Sequence, residues 1–175
     1  MQTVETSRLI LREPTAADAA FVLALVTDPD WLRHIGDRGV TSLADARAYI
    51  EAGPAASVRR HGFGLRLVEL RDGRVPAGLC GLIRRDGLDD ADLGFAFLPA
   101  HRGQGLAAEA AAVTLDDAWR RLGMRRVVAI VSADNAASVR LLARLGFALD
   151  GPTTVGGDRV DLYRLDAPAA GPAAG

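Results

Sequence analysis

The stretch from Phe95 to Glu109 constrains this chain more than any other part of it. Its first residues are apolar in the manner of a strand end, Pro99 stops the strand, and an Ala-rich amphipathic segment follows Gly105. A helix that begins directly after such a loop has several N–H groups without intrahelical partners, and its dipole places partial positive charge there. The sequence therefore predicts an anion site at the start of this helix, with a phosphate as the expected ligand.

The loop at residues 102–107, Arg-Gly-Gln-Gly-Leu-Ala, narrows the type of phosphate site. Gly103 and Gly105 lack a Cβ, so the backbone can adopt a positive φ and a polyphosphate can approach the N–H groups closely. Arg102 adds a guanidinium that can bind phosphate oxygens in a bidentate manner. The loop matches neither a P-loop nor the Gly-x-Gly-x-x-Gly of a dinucleotide-binding turn. On the loop alone, an ordinary strand-loop-helix corner built from small residues stays open as the alternative.

The length of 175 residues fits one domain, which we place at residues 1–166, followed by a disordered Ala/Pro/Gly tail at 167–175. The formal net charge is -1 with no concentration of basic residues, so nucleic acid is not expected as a partner. The single cysteine, Cys80, excludes an internal disulfide. No segment has the pattern of a signal peptide or the ~18 apolar residues of a membrane helix. These features predict a cytoplasmic protein that does not associate with membranes.

Hydrophobic periodicity and turn signals predict a single chain of strands and helices, in which three successive strands form an antiparallel meander. The expected order is strand, two helices, three meander strands, helix, strand, helix and two strands. The strands are placed near residues 7–12, 63–70, 75–85, 91–98, 126–131, 147–154 and 159–165. The helices are placed from the cap at 15–18 to Asp28-Pro29, from 42 to 51 with an end at Gly53-Pro54, from 105 to 122, and from 134 to 146.

This order and the Arg-x-x-Gly-x-Ala loop resemble the GNAT superfamily of acetyl-CoA-dependent N-acetyltransferases. A second motif at residues 135–147 is similar to the superfamily's Asn-x-x-Ser/Ala helix that ends in Leu-Gly-Phe. The resemblance covers roughly residues 6–165, which is nearly the whole chain. It implies the α+β fold of the superfamily, with a mixed, mostly antiparallel central sheet flanked by helices. Within the superfamily, residues 6–12 followed by Asp18 resemble the ribosomal-protein-alanine N-acetyltransferase (RimJ/RimL-like) branch.

The resemblance implies that the pantetheine arm of acetyl-CoA lies between the fourth strand and the strand after the long helix, where it adds main-chain hydrogen bonds like an extra strand. The cofactor contacts implied in this way are Phe95, Phe97 and Leu98 for pantetheine, Arg102, Gly103, Gln104, Gly105, Leu106 and Ala107 for the pyrophosphate, and Asn135 and Ser138 on the following helix. Core packing is the alternative role for the two phenylalanine rings. Helix capping is the alternative for Asn135.

Acetyl transfer to an amine needs a base, because an amine with a pKa near 10 is mostly protonated at neutral pH. Asp92 occupies the position where an acid often stands in this branch, and a solvated hairpin residue is its alternative role. Many relatives carry a tyrosine that protonates the thiolate where this chain has Leu142, so that acid is missing. Ser138 is the remaining candidate to hydrogen-bond the sulfur, with an ordinary helix-interior serine as the alternative.

Trp31, Arg33 and His34 lie between the first two predicted helices, which in this fold border the acceptor site, so they are candidate substrate contacts. The three histidines lack metal-ligand spacing, so no metal is expected. The predicted function is acetyl-CoA-dependent N-acetyl transfer by direct attack in a ternary complex, in a monomer or homodimer. The acceptor is a protein N-terminus or a small amine such as a polyamine or aminoglycoside. A catalytically silent acyl-CoA-binding module and, less favoured, a generic nucleotide-binding protein are the alternatives.

Overall fold

The centre of the structure, a computed structural model described here for residues 1–169, is an eight-stranded sheet. Its strand order is β1-β2-β3-β4-β5-β6-β8-β7, and neighbours are antiparallel except for the parallel pair of β5 and β6. The strands are β1 (Val4–Glu5), β2 (Leu9–Arg12), β3 (Leu65–Leu70), β4 (Pro76–Ile83), β5 (Ala91–Phe97), β6 (Arg126–Val131), β7 (Ala148–Val155) and β8 (Asp158–Asp166).

Helices cover both faces of the sheet, which confirms the predicted α+β fold with a mixed, mostly antiparallel sheet. Within the described residues they are α1 (Ala19–Val26), α2 (Pro29–His34), α3 (Leu43–Ile50), α4 (Ala56–His61), α5 (Leu106–Arg120) and α6 (Ala136–Arg144). The short strand β1 is an addition to the predicted order. Of the predicted tail, residues 170–175 lie outside the described residues.

Two of the helices were not expected, and α2 is the first of them. The sequence analysis took Asp28-Pro29 as the end of a helix, whereas the structure begins one there. Asp28 is the N-cap, its side chain accepts a hydrogen bond from the amide of Asp30 at 3.1 Å, and Pro29 occupies the first turn. Both positions suit these residues, because the proline ring needs no N–H partner at the first turn of a helix.

The second addition is α4, which follows α3 without a break. The prediction that Gly53-Pro54 ends this helix was wrong, because the chain passes through a π-helical turn at Glu51–Ala55 and continues as α4. A wider turn of this kind tolerates the missing N–H of Pro54, which is buried. The helical segment ends instead at Gly62, whose φ of 75° suits glycine.

The two faces of the sheet carry separate hydrophobic clusters, because successive side chains of a strand point to opposite sides. Leu67 and Leu79 face α1 and α3, and their neighbours Val68 and Cys80 face the layer that contains α5. Complete burial raises the pKa of the Cys80 thiol to about 12, so it packs as a small apolar side chain. The site described next lies where two neighbouring strands of this sheet, β5 and β6, separate.

Candidate functional site

The strands β5 and β6 diverge soon after they begin. Main-chain pairing between them is limited to Ala91 with Val127 and Asp92 with Val128, although β5 continues to Phe97 and β6 to Val131. Beyond the paired residues, each strand presents to the other an edge without strand pairing. An extended ligand with amide groups fits such a gap, because main-chain donors and acceptors need partners.

Asp92 lies at the closed end of this gap and is only 1% exposed. Its Oδ2 accepts a hydrogen bond from Nε of Arg85 at 2.5 Å, and its Oδ1 accepts from the amide of Ile130 at 3.1 Å. The second bond joins β5 to β6 through a side chain where strand pairing has ended. Burial raises the pKa of the Asp92 carboxyl, and the charge of Arg85 opposes that shift. With both oxygens engaged, the geometry fits a clamp better than the predicted base.

The loop after β5 has the shape that its glycines predict. A 3-10 turn at Pro99–His101 is followed by Gly103 and Gly105, with φ angles of 73° and 76°. Gly105 is the N-cap of α5, and the first amide to bond within the helix is that of Glu109, to the carbonyl of Gly105 at 3.1 Å. The amides of residues 105–108 are therefore the four that a helix start leaves without intrahelical partners. They form a cradle of N–H groups that is suited to an anion.

The side chain of Arg102 differs from expectation. Its Nε donates to the carbonyl of Phe97 at 2.8 Å, its Nη2 donates to Asp28 at 2.5 Å, and its Nη1 donates to Asp30. The sequence analysis predicted that this guanidinium binds phosphate oxygens, and here it binds two carboxylates. A planar guanidinium can bind either kind of acceptor. In this arrangement the main-chain amides are the donors of the loop that remain available to an anion, and a contact between Arg102 and the pyrophosphate stays a prediction.

The helix α2 spans the open end of the gap between β5 and β6. Its start binds Arg102 through Asp28 and Asp30, as just described. Its end reaches the connection after β6, where Arg33 Nη2 lies 2.9 Å from Asp134 Oδ2. His34 Nδ1 lies 3.2 Å from Ser132 Oγ and 3.5 Å from Asp134 Oδ1. The serine and the aspartate share the same ring nitrogen, so this cluster is not a nucleophilic triad, which needs them on opposite nitrogens.

The back of the loop is held by the start of the chain. Glu109 accepts hydrogen bonds from Thr6 Oγ1 at 2.5 Å and from Arg8 Nε at 2.6 Å. Arg8 Nη1 also donates to the carbonyl of Gln104 at 3.0 Å. Burial alone would raise the pKa of Glu109, but the bonds from Thr6 and Arg8 lower it below its ordinary value. The opening motif at residues 6–12 therefore positions the loop.

On the opposite wall, α6 carries Asn135 and Ser138. Asn135 is the N-cap, and its Oδ1 accepts a hydrogen bond from the amide of Ser138 at 3.1 Å, so its predicted alternative role as a helix cap is confirmed. Leu142, at the position where many relatives carry tyrosine, is completely buried in the core. The wall therefore offers the hydroxyl of Ser138 but no phenol at residue 142.

These elements enclose a cleft of about 800 Å³. Most predicted site residues line it, and Leu98, Gln104 and Arg33 are not among its lining residues. The predicted residues that the cleft brings together are Trp31, His34, Asp92, Phe95, Phe97, Arg102, Gly103, Gly105, Leu106, Ala107, Asn135 and Ser138. Lining residues that the sequence analysis missed are Arg38, Tyr49, Arg60, His61, Arg84, Arg85, Arg140 and Arg144. Arg140 and Arg144 lie within the motif at residues 135–147, but no local motif marks the other members, because distant segments bring them together.

Two searches of the described chain concern other classes of site. Within residues 1–169, no group of three or more His, Cys, Asp or Glu side chains is arranged to hold a metal ion. None of the helices in the same residues is both long and apolar enough to cross a membrane.

Comparisons with known proteins agree with this geometry. Residues 8–148 match the family model described as an acetyltransferase (GNAT) domain. The chain is 30% identical over 154 residues to YoaA of Bacillus subtilis, named as an uncharacterized N-acetyltransferase, and the match covers 85% of this chain and 84% of YoaA.

Solved structures share the fold. An acetyltransferase from Agrobacterium tumefaciens has a TM-score of 0.83 at 24% identity, over 95% of each chain. RimL, a ribosomal L7/L12 alpha-N-protein acetyltransferase solved in complex with coenzyme A, has a TM-score of 0.78 at 20% identity, over 94% of this chain and 98% of that one. From the family match over most of the chain, together with the divergent strands and the glycine loop, it follows that this protein belongs to the GNAT family of acetyltransferase enzymes.

Proposed function

We propose that this protein transfers an acetyl group from acetyl-CoA to a primary amine by direct attack within a ternary complex. The observation that carries the proposal is the gap between β5 and β6, which leads directly to the amide cradle at the start of α5. An extended pantetheine with two amides matches the unpaired strand edges, and a pyrophosphate matches the cradle. Coenzyme A in the solved RimL structure adds support for the same class of ligand.

The residues that would hold acetyl-CoA fall into two groups. Main-chain groups of Phe95 and Phe97 would bond the pantetheine amides, because the hydrogen bond from the Leu98 amide to the carbonyl of Ala77 at 3.0 Å turns the main chain of these two residues away from β4. The Leu98 amide is therefore not available to the cofactor. The amide cradle of residues 105–108 would bind the pyrophosphate, with loop residues 102–104 beside it and Asn135 and Ser138 on the opposite wall. When bound, acetyl-CoA supplies an acetyl group that its thioester linkage has activated for attack by an amine.

The acceptor amine must lose a proton before it can attack, since its ordinary pKa lies near 10. We assign this task to His34 rather than to Asp92, whose two oxygens are engaged. Hydrogen bonds from Arg33 and Ser132 lower the pKa of Asp134, so this carboxylate is charged at neutral pH. A carboxylate beside Nδ1 of His34 favours the tautomer with its proton on Nδ1, which leaves Nε2 free to accept one.

The departing thiolate needs a hydrogen-bond donor. Leu142 is buried and apolar, so it cannot serve as this donor. We retain Ser138 for the role, because it lines the cleft from the first turn of α6. A serine hydroxyl is a far weaker acid than a tyrosine phenol, so its contribution is a hydrogen bond to the sulfur rather than full proton transfer.

Variants of α2 test the proposal when thiol release from acetyl-CoA is followed with an amine acceptor. His34→Gln removes the base, and we expect kcat to fall by about 10²–10⁴ while the Kd for acetyl-CoA changes little. Leu32→Gln is the matched control, because Leu32 is an exposed neighbour on the same helix at 43% exposure. An unchanged kcat in His34→Gln would exclude His34 as the base. Tight acetyl-CoA binding without thiol release by the unaltered protein would instead favour a silent acyl-CoA-binding module.

A further inference from the structure

The charge of the cleft is unbalanced. Among the described residues that line it are seven arginines and only two acidic residues, Asp30 and Asp92. Both aspartates are already bound to an arginine, Asp30 to Arg102 and Asp92 to Arg85. Arg102 is thus already paired, and the negative phosphates of acetyl-CoA would balance Arg140 and Arg144, which line the cleft from α6. The exposed arginines on the other side of the cleft are available to a second ligand.

The remaining arginines of the lining come from segments next to α2, α4 and β4, and we take the part of the cleft that they line as the acceptor side. Arg38 follows α2, Arg60 lies near the end of α4, and Arg84 and Arg85 follow β4. Within residues 1–169, Arg38, Arg60 and Arg84 form no ion pair with a carboxylate. Arg38 Nη2 donates to the carbonyl of Ile35 at 3.2 Å, and Arg84 donates to the carbonyl of Asp89. These contacts restrain the two side chains but leave their positive charges unneutralised.

Two neutral donors lie along the same side. Tyr49 lines the cleft, and burial raises the pKa of its hydroxyl while the charges of Arg38 and Arg85 act in the opposite direction. Trp31 also lines the cleft, and its buried Nε1 has no hydrogen-bond acceptor in the described part of the chain. The acceptor side thus combines several donors and positive charges with no free carboxylate from residues 1–169.

We infer that the acceptor is an amine that carries an anionic group, a carboxylate or phosphate, near its reactive nitrogen. The inference rests on the proposed function only in taking this side of the cleft as the acceptor site. An anionic group supplies a charged partner for Arg38, Arg60 and Arg84 and an acceptor for Nε1 of Trp31. Charge-assisted hydrogen bonds of this kind are strong. A polyamine or aminoglycoside would bring further positive charge beside unneutralised arginines, so these cationic amines are disfavoured.

The test measures binding to the full chain saturated with CoA, so that it does not depend on turnover. Three matched pairs of acceptors differ in charge. They are β-alanine and its amide, O-phosphoethanolamine and ethanolamine, and the tripeptide amides Ser-Asp-Glu and Ser-Asn-Gln. Calorimetry gives the Kd of each, with spermidine as a cationic probe. The variants are Arg38→Gln and, as the control, Arg47→Gln, because Arg47 is exposed on α3 and does not line the cleft.

In at least one pair we expect the anionic member to bind about tenfold more tightly than its neutral partner. We expect Arg38→Gln to remove most of that ratio and Arg47→Gln to preserve it. The pair that shows the preference distinguishes a small carboxylate, a phosphate and an acidic peptide. Equal binding within all three pairs, or tighter binding of spermidine, would overturn the inference. Thiol release from acetyl-CoA is measured separately: charge preference without release would leave the anion site standing and remove the transferase proposal.

Discussion

A negative charge placed in the amide cradle should separate cofactor binding from helix stability. Ala107 is the second residue of α5, is half-buried and lines the cleft. In Ala107→Glu, a carboxylate would compete with a pyrophosphate for the same N–H groups and repel it. The same carboxylate lies in the first turn of a helix, where an acidic side chain contributes about 0.3–1 kcal/mol of stabilisation.

The size of the loss follows from the position of Ala107. Two unit charges about 4 Å apart interact by about 1 kcal/mol in water and by about 4 kcal/mol at an effective dielectric constant of about 20. A half-buried site lies between these limits, so we expect a loss of about 1.4–3 kcal/mol in binding free energy. That loss corresponds to a Kd for acetyl-CoA that is roughly 10–100 times higher.

Calorimetric titration and thermal unfolding measure the two effects in the same preparations. Ala107→Gln separates the added charge from the added volume, and Ala112→Glu places the same charge on the exposed side of the same helix. We expect both controls to bind acetyl-CoA more tightly than Ala107→Glu, with the gap narrowing at high salt. Equal Kd values for Ala107→Glu and Ala107→Gln would refute the placement of the pyrophosphate at this helix start.

Three further perturbations test other parts of the structure. In Asp92→Asn, a clamp role predicts a fall in kcat of less than about tenfold, whereas loss of a general base costs about 10²–10⁴, and steady-state kinetics distinguishes the two. Burial alone would raise the pKa of Asp18, but hydrogen bonds from Arg12 and Thr15 lower it below its ordinary value. The carboxylate therefore stabilises the fold above pH ~4, and this stabilisation is lost as the pH falls through the lowered pKa. In Asp18→Asn, the free energy of unfolding measured by denaturant titration should depend less on pH in this acidic range. In Gly81→Ala the new Cβ would meet the carbonyl oxygen of Gly64 at 2.2 Å, so we expect destabilisation of about 1–3 kcal/mol or more, while Gly53→Ala, with nothing within 4 Å, should be nearly neutral in the same assay.

The parts of the site that sequence predicts are those built from neighbouring residues. Pro99, Gly103 and Gly105 specify a strand stop, a turn and a helix start within a few positions, so the loop follows from local backbone preferences. Asn135 caps α6 for the same local reason.

The charged side chains of the site depend on partners that are remote in sequence. Arg102 binds Asp28 and Asp30, which lie 74 and 72 positions away in the sequence. The residues around Arg102 therefore do not indicate whether its partner is a carboxylate of the protein or a phosphate of a ligand. The arginines of the acceptor side likewise reach one cleft only because α2, α4 and β4 converge there. Local rules also left Asp28-Pro29 ambiguous, since the same pair can end one helix or begin the next.

The most direct test of the proposed cofactor site is a calorimetric titration of the full chain with acetyl-CoA, followed in the same sample by thiol release after an amine is added. The gap between β5 and β6 and the amide cradle predict one binding site per chain, with a Kd on the order of micromolar, and thiol release that requires the amine. Folded protein that binds no acetyl-CoA would contradict the assignment of this cleft.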